Sequence, residues 1–303
     1  MAEKQYLNVF IQEGGMDMLF HLSKNKDTVI DNYIFNALKT LSCHDVIRIQ
    51  LLSNEWLSVF NNYTNNNVIM LTPSNIPLLQ NIMYCFSNIL QSQDLSTLQK
   101  FLTYNENNKD YIYPINILVD FNNILYPPDS IVTCKSILAN TIKGIAMHQT
   151  QIKEPILKNS ILFDLIYCMC KSKLEPIQII MGQTLTELSK QEESRIEIVG
   201  NNELFDCLLQ WTRSNNKEVR YHTSAILNQL LQDDKIAVII VRTYGVQFLM
   251  NLADVPDIDV VHNVEHILSL LKRQFKSTKE FNSNYYSFLC MSDDFNINYS
   301  NVK

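Results

Sequence analysis

The sequence predicts an all-α fold, a solenoid built by stacking similar helical repeats. Two observations predict it. Two apolar phrases recur along the 303 residues at a spacing near 42, and turn-forming residues are scarce, with only six Gly and eight Pro. An all-β sandwich or barrel needs many turns rich in Gly and Pro. A repeat of about 40–47 residues cannot bury its apolar face alone, whereas stacked repeats bury it together.

The first phrase predicts a short first helix followed by a second helix. Each copy has two aliphatic residues, a short polar or glycine-containing break and then a new apolar helix face. The copies are FIQEGGMDMLF (10–20), LLSNEWLSVF (51–60), ILKNSILFDLI (156–166), IVGNNELFDCL (198–208) and IVRTYGVQFLM (240–250). Their anchor residues are Met16, Leu57, Leu162, Leu204 and Val246, separated by 41, 105, 42 and 42 residues. The long interval holds two repeats plus an insertion of about half a repeat.

The second phrase predicts a longer third helix. It starts 20 or 21 residues after the anchor in the uninterrupted copies, with apolar residues at helical spacing. Polar turns such as SKNKD and RSNNKE are long enough only for a helix-to-helix connection. The six copies predict about six repeats: NALKTLS (36–42), YCFSNIL (84–90), NTIKGIA (140–146), QTLTELS (183–189), AILNQLL (225–231) and HILSLLK (266–272).

Three stretches depart from this regularity and are predicted loops: NNYTNNN (61–67), YNENNKDYIYP (104–114) and YPPDS (126–130). Two consecutive prolines forbid helix continuation in the last one. Such loops sometimes carry binding, although the asparagine content of the whole chain also accounts for them. After residue 275 the sequence turns polar. We therefore expect a solenoid over 1–275 and a cap on the last repeat, a flexible tail or the start of further structure over 276–303.

Residues 13–42, EGGMDMLFHLSKNKDTVIDNYIFNALKTLS, resemble an armadillo repeat. They combine paired glycines, an apolar helix, a polar turn and a longer helix with an A-L-x-x-L core. Residues 198–231 are similar but lack the paired glycines, and the resemblance extends over about 5–275. HEAT-type repeats pack alike, so armadillo and HEAT remain alternatives. The resemblance implies a right-handed superhelix whose concave groove is lined by the last helix of each repeat, and members that mostly bind proteins and are rarely enzymes.

The resemblance also implies where a groove would bind. Importin-type armadillo proteins carry a Trp-x-x-x-Asn ladder on their groove helices for basic peptides. Here the Trp position holds Asn36, Tyr84, Asn140, Gln183, Ala225 and His266, and the Asn position holds Thr40, Asn88, Gly144, Glu187, Gln229 and Leu270. Only Tyr84 and Asn88 keep the chemistry of the ladder, and Trp211 with Asn215 has the spacing in the wrong helix. Importin-like cargo binding is therefore disfavoured.

What remains along the groove helices is an amide-rich row suited to hydrogen-bonding an extended peptide backbone, or else an ordinary solvated surface. We take this row as the candidate protein-binding site. Its residues are Asn36, Tyr84, Asn88, Asn140, Gln183, Glu187, Gln229 and His266.

One local motif points to chemistry. HNVEH (262–266) matches the H-x-x-E-H order of a zinc peptidase family, with His262 and His266 on one helix face and Glu265 beside them. The motif is in phase with five second phrases that have no metal ligands, so a structural helix is the preferred interpretation. Phosphate-binding and nucleophile-elbow glycine motifs are absent from the sequence. We expect no catalytic residues, metal, cofactor or small-molecule substrate.

Net charge and cysteine content limit the classes of partner and the cellular compartment that we expect. Lys plus Arg total 25 against 31 Asp plus Glu, a net charge of -6, which disfavours nucleic-acid binding. The basic cluster LKRQFKSTK (271–279) is interpreted as a helix end. Seven cysteines without a C-x-x-C pair predict reduced thiols in the cytoplasm or nucleus, with Cys168 and Cys207 meeting in the core. No run approaches 18 apolar residues, so no membrane span is expected.

The function predicted from these features is a non-enzymatic protein-binding scaffold, adaptor or regulator that holds one or more proteins or extended peptide segments. The fold is shared by co-chaperones, small-GTPase regulators and ataxin-10-like proteins, which are the alternatives of the same class. Two alternatives belong to other classes: a zinc-dependent hydrolase at the H-x-x-E-H motif, and a structural fragment whose groove is filled by its own chain.

Overall fold

A computed structural model of the chain describes residues 2–25, 27–65, 72–90, 114–125, 131–148, 160–244, 247–253 and 257–275. Every regular element within these ranges is a helix. The chain divides into two compact units, unit 1 (Met1–Ile166) and unit 2 (Tyr167–Lys303). The predicted all-α solenoid repeat is confirmed in both.

Unit 1 contains the first three repeats. The first and second repeats show the predicted order of a first, a second and a third helix, and two helices of the third repeat are described. The helices are α1 (Ala2–Gln12), α2 (Gly15–Ser23) and α3 (Thr28–Leu41), then α4 (Asp45–Leu51), α5 (Asn54–Asn65) and α6 (Ile76–Ile89), then α7 (Pro114–Ile124) and α8 (Val132–Met147).

The remaining three repeats follow. The unit boundary lies inside the second helix of the fourth repeat. The helices are α9 (Ser160–Cys170) and α10 (Glu175–Leu188), then α11 (Glu192–Gly200), α12 (Asn202–Trp211) and α13 (Lys217–Leu230), then α14 (Asp234–Tyr244), α15 (Gln247–Ala253) and α16 (Ile258–Phe275).

Two of the third helices, α3 and α13, begin at a side-chain cap. The Asp27 carboxylate accepts from the Val29 and Ile30 backbone N–H groups at 2.8 and 3.2 Å. Asn216 caps α13 in the same way, accepting at 2.9 Å from the Glu218 N–H. These bonds satisfy donors that the first turn of a helix leaves unpaired. The polar turns before α3 and α13 therefore fix where those two helices start.

The paired glycines at 14–15 have a structural reason. Gly14 has φ of +72°, in the left-handed region that other residues rarely adopt. A Cβ on Gly15 would overlap the ring of Phe10, so only glycine lets α1 pack this closely on α2. The two glycines turn the chain between the first and second helices of the first repeat.

Each unit has a core that runs through successive repeats. In unit 1, Phe35, Phe60, Phe86 and Phe121 are fully buried, with successive ring centroids 5.6, 4.8 and 6.0 Å apart. Third helices pack on third helices, α3 on α6 and α6 on α8. In unit 2, α10 packs on α13 and α13 on α16. Stacking therefore buries the apolar faces within each unit, as the repeat pattern predicts.

One predicted loop is partly wrong. Residues 61–65 continue α5, and Tyr63 and Thr64 are each 6% exposed. Trp56, Phe60 and Tyr63 share one helix face because they stand at i, i+4 and i+7, and packing of that face outweighs the asparagines around it. Pro114 begins α7, where its missing N–H costs nothing. The other predicted loop residues, the anchor Val246 and the segment 276–303 lie outside the described residues.

The expected core contact between Cys168 and Cys207 is wrong. Cys168 is exposed, whereas Cys170, two residues on and about 200° around the helix, is buried. Burial, and then the neighbouring Cys207, raise the pKa of the Cys170 thiol. Among the described helices, none combines the length and the apolar character needed to cross a membrane.

Candidate functional site

The third helices of unit 1 present three predicted site residues together. Asn36 on α3, Tyr84 on α6 and Asn140 on α8 occupy the same repeat position, and all three are exposed. Their helices are packed side by side. We call the exposed side of α3, α6 and α8 the third-helix face of unit 1, and the exposed side of α10, α13 and α16 the third-helix face of unit 2.

Asn88 stands four residues after Tyr84, and its amide forms hydrogen bonds at the end of a neighbouring helix. Its Nδ2 donates to the Lys39 backbone oxygen at 2.8 Å and to Ser42 Oγ at 2.9 Å. Asn88 therefore satisfies carbonyl and hydroxyl groups at the carboxyl end of α3. These bonds make Asn88 a positioning residue between two repeats.

Asn81 is a polar residue that the sequence interpretation missed. It is 8% exposed. Its Nδ2 donates to Asn32 Oδ1 at 3.1 Å, and its Oδ1 accepts from Lys39 Nζ at 3.0 Å. The available signal was an asparagine within the apolar stretch 76–86. Asn32, Asn81 and Asn88 form the amide ladder of unit 1, which ties α3 to α6.

Lys39 lies where the amide ladder meets the exposed face. Its Nζ is 5.6 Å from the ring centroid of Tyr84, within the range of a cation–π contact. An ammonium group has three hydrogens, and one of them is used by Asn81. The positive charge therefore lies beside an exposed aromatic ring.

Unit 2 has an amide ladder of its own, formed by Asn228, Asn263 and His266. His266 Nδ1 is 2.7 Å from Asn228 Oδ1, and Asn263 Nδ2 donates to Ser224 Oγ at 3.0 Å. Because a carbonyl oxygen only accepts, Nδ1 of His266 carries the proton in this contact. The exposed His266 thus joins α16 to α13.

The other predicted positions of unit 2 have varied environments. Gln183, Ala225 and Gln229 are half-buried on α10 and α13. The Glu187 carboxylate pairs with Lys190 Nζ at 2.7 Å, just beyond the carboxyl end of α10. Leu270 is only 7% exposed, so the last repeat does not present its Asn-equivalent position at the surface.

The H-x-x-E-H motif lies in the middle of α16. His262 and His266 are exposed, and Glu265 is half-buried. Across the part of the chain that the structure describes, no group of three or more His, Cys, Asp or Glu side chains is placed to hold a metal ion. Trp211, the other residue with ladder spacing, is buried in α12, a second helix, as predicted.

Unit 2 also has a shallow cleft of about 270 Å³ away from its third helices. It lies between α12, α14 and α15 and was not foreseen from the sequence. Its lining residues are Leu209, Gln210, Arg213, Tyr244, Phe248 and Asn251.

Comparisons with solved structures identify the fold. The chain is similar to computationally designed armadillo repeat proteins for modular peptide recognition, at TM-score 0.60 and 11% identity over 84% of this chain and 98% of that chain. A designed armadillo repeat protein in complex with the peptide (KR)4 gives the same values. An engineered protein follows at TM-score 0.57 and 15% identity over 85% and 96% of the two chains. No protein-family model and no curated protein matches the sequence. At such low identity the likeness defines the fold alone.

Proposed function

Starting from an armadillo-like solenoid fold, we propose that this chain is a non-enzymatic scaffold, adaptor or regulator that binds extended segments of partner proteins along its third helices. One observation carries the proposal. Asn36, Tyr84 and Asn140 are exposed at the same position of three third helices packed side by side.

The chemistry of this face suits a peptide backbone. A side-chain amide offers one carbonyl acceptor and two N–H donors, which match the N–H and C=O groups of a peptide bond. An extended segment has no partners for those groups within its own chain, so they are available to a binding surface. Asn36 and Asn140 lie on either side of Tyr84, whose ring gives a ligand side chain an apolar surface. Asn140 Nδ2 donates one N–H to the Ser136 oxygen at 2.9 Å, which leaves its second N–H and its Oδ1 for a ligand. The face can therefore hold a segment without recognising its sequence at every position.

Related folds support this use. One similar solved structure is of designed armadillo repeat proteins for modular peptide recognition, and another is of a designed armadillo repeat protein in complex with a peptide. Scaffolds, co-chaperones, small-GTPase regulators and ataxin-10-like proteins would share the surface and differ in the partner. The surface therefore indicates how a segment would bind, and capture experiments would identify the partner protein.

The test selects binders from a displayed library of random twelve-residue peptides and measures their affinities by fluorescence anisotropy. The site variant combines Asn36→Ala, Tyr84→Ala and Asn140→Ala. A matched control removes the same residue types from first and second helices, with Tyr6→Ala, Asn8→Ala and Asn123→Ala, all of them exposed. Both variants are first shown to unfold at the wild-type temperature.

We expect peptides that bind wild type and the control and that lose at least about tenfold in affinity for the site variant, since several contacts of about 1 kcal/mol are removed together. Equal binding to both variants would show that the peptides bind at a site other than Asn36, Tyr84 and Asn140. A library that yields no binder would refute the proposed mode.

The zinc hydrolase is tested separately. Wild type is purified without chelator, and its zinc content is measured beside that of His262→Ala. Stoichiometric zinc in wild type that falls in the variant would replace the binding proposal with a metal site at residues 262–266.

A further inference from the structure

Third helices contact the preceding third helix through a recurrent position, which lies three residues before the position of Tyr84. On α6 this position holds Asn81, whose Nδ2 donates to Asn32 Oδ1 on α3. On α16 it holds Asn263, whose Nδ2 donates to Ser224 Oγ on α13. The position therefore lies on the side of a third helix that faces the repeat before it.

Two further positions on the same helix side are buried by this packing. They stand three residues before and four residues after the contact position, so all three share one face of the helix. The preceding third helix packs there, α3 on α6, α6 on α8 and α13 on α16. The residues at the two positions, none more than 2% exposed, are Leu78 and Cys85 on α6, Cys134 and Thr141 on α8, and Val260 and Ile267 on α16.

The same three positions on α3 hold Ile30, Tyr33 and Ala37, which we call the stacking face of α3. Here the burial is missing. Tyr33 is 71% exposed, Ile30 is 38% exposed and Ala37 is half-buried. The end of a solenoid normally presents a polar face to water. The stacking face of α3 instead has the apolar composition of a contact between repeats.

The last third helix is different at its own outer side. On α13 the residues that contact the next repeat are Ser224 and Asn228. The corresponding residues of α16 include Glu265 and Ser269, with His262 one turn before Glu265. A head-to-tail contact between two copies would press these polar groups against the apolar stacking face of α3, and burying polar groups without partners is unfavourable. The stacking face of α3 is therefore better matched to a second copy of itself.

We infer that two copies of this chain associate through the stacking face of α3, each first repeat covering the other around a two-fold axis. In a two-fold contact each copy contributes the same patch, so a charged residue at the centre would meet its own like charge. Ile30, Tyr33 and Ala37 carry no charge, and this repulsion does not arise. The Tyr33 rings supply most of the exposed apolar area and can pack on each other. The inference uses residues other than those of the proposed function and does not depend on it.

The size of the stacking face indicates how strong the dimer is. Specific stable interfaces bury about 800 Å² per partner, and smaller ones belong to weak or transient complexes. One tyrosine side chain buries about 150–250 Å². A contact centred on one helix of each copy lies at the small end of this range. We therefore expect a reversible dimer with a dissociation constant of about 1–100 μM.

Sedimentation velocity of the full chain between about 1 and 300 μM tests the inference. Wild type is compared with Tyr33→Arg, which places two cations opposite each other at the centre of the contact. The control is Tyr221→Arg, since Tyr221 is an exposed tyrosine on α13 in unit 2. We expect wild type and the control to shift towards twice the monomer mass as concentration rises, and Tyr33→Arg to weaken the association at least about tenfold. The three proteins should unfold at the same temperature at about 1 μM.

Photo-cross-linking locates the contact without adding a charge. Tyr33 is replaced by the photoreactive aromatic amino acid p-benzoylphenylalanine, and ¹⁴N-labelled and ¹⁵N-labelled chains are mixed before irradiation. Mass spectrometry then identifies cross-links that join a light chain to a heavy one. We expect them to link position 33 to residues 28–41 of the other copy. This measurement decides the question even if Tyr33→Arg unfolds.

Three results would each overturn the inference. The first is a wild-type chain that stays monomeric over the whole concentration range. The second is a dimer that survives Tyr33→Arg in folded form, with cross-links from position 33 to other parts of the partner copy or within one chain only. The third is growth beyond two chains, which a closed two-fold contact does not allow.

Discussion

The third helices of units 1 and 2 pack in the same order but expose different side chains. In unit 1 they carry one acidic residue, which is buried, and two lysines at a repeated position. In unit 2 they carry five acidic residues, and two histidines of α16 are exposed. The apolar positions that build the repeat are nevertheless equivalent. The comparison shows that packing fixes the fold through one set of positions and leaves the exposed set free to acquire separate chemistry.

The largest expected loss of stability comes from placing a charged residue at the same anchor position in either unit. Leu57 and Leu204 are 0% and 1% exposed. Replacing either by Asp removes a buried leucine, which costs about 2–5 kcal/mol, and buries an unpaired charge in addition. Because repeats contact mainly their neighbours, Leu204→Asp should remove hydrogen-exchange protection over 175–275 and spare 28–65. Leu57→Asp should do the reverse.

Hydrogen exchange read by mass spectrometry checks both variants. A loss of protection along the whole chain with either substitution would show that the two units unfold as one.

The next effect concerns the close approach of third helices in unit 2. A Cβ on Gly182 of α10 would stand 2.8 Å from His222 Cβ on α13, so Gly182→Ala should force the helices apart and cost about 1–3 kcal/mol. Gly200 has no atom within 4 Å of such a Cβ, and Gly200→Ala serves as the control, with a change of at most about 1 kcal/mol in the stabilising direction. Urea unfolding measures both, and equal costs would contradict this packing.

A smaller effect distinguishes positioning amides from exposed ones in unit 1. Asn88→Ala removes the bonds to the Lys39 oxygen and Ser42 Oγ and should cost about 1–2 kcal/mol. Asn36→Ala changes an exposed side chain and should cost less than about 0.5 kcal/mol. Both are read as shifts in the urea midpoint at constant m-value. If Asn88→Ala leaves the free energy of unfolding unchanged, the bonds of Asn88 do not stabilise the packing of α3 on α6.

The smallest effect is a pH dependence confined to unit 1. Burial raises the pKa of Asp31, and the nearby Tyr63 hydroxyl offsets this in part although neither carboxylate oxygen makes a hydrogen bond of standard geometry. Since the folded pKa lies above the unfolded value, the contribution of Asp31 is most favourable below the unfolded pKa. It is lost as pH rises through the folded pKa.

Asp31→Asn should therefore gain stability relative to wild type as pH rises from 4 to 7. Unfolding free energies of the two proteins at several pH values test this. A difference that stays constant with pH, or that falls, would mean that the Asp31 carboxyl is solvated.

Much of the fold was predictable because the relevant signals are local. Apolar residues at helical spacing gave the six third helices, and the exposure of Asn36, Tyr84 and Asn140 follows from the same phase. The helical state of 61–65 was missed because the asparagines there suggested a turn, while packing of Phe60 and Tyr63 decides the outcome.

The contacts of the candidate site were less predictable. Asn88 and His266 find their partners in the preceding repeat, 38–49 residues away along the chain. No local pattern indicates which atom a side chain will meet at that distance. Asn81 gave only a weak signal, because it is one of two adjacent polar residues, Gln80 and Asn81, within an apolar stretch. Binding at the third-helix face stays a prediction. The sequence pattern indicates which side chains are exposed, but it does not indicate which ligand they contact.

The amide ladders also determine how a stack of helices responds to force. Two smooth apolar faces could slide past each other by one helical turn, about 5.4 Å, and recover most of their contact. In unit 1 such shear would break the bonds of Asn81 and Asn88 to α3 at once, because each is formed at one depth along the helix. We therefore expect the repeat to resist a pull along the helix axes until these bonds break together, and then to yield abruptly.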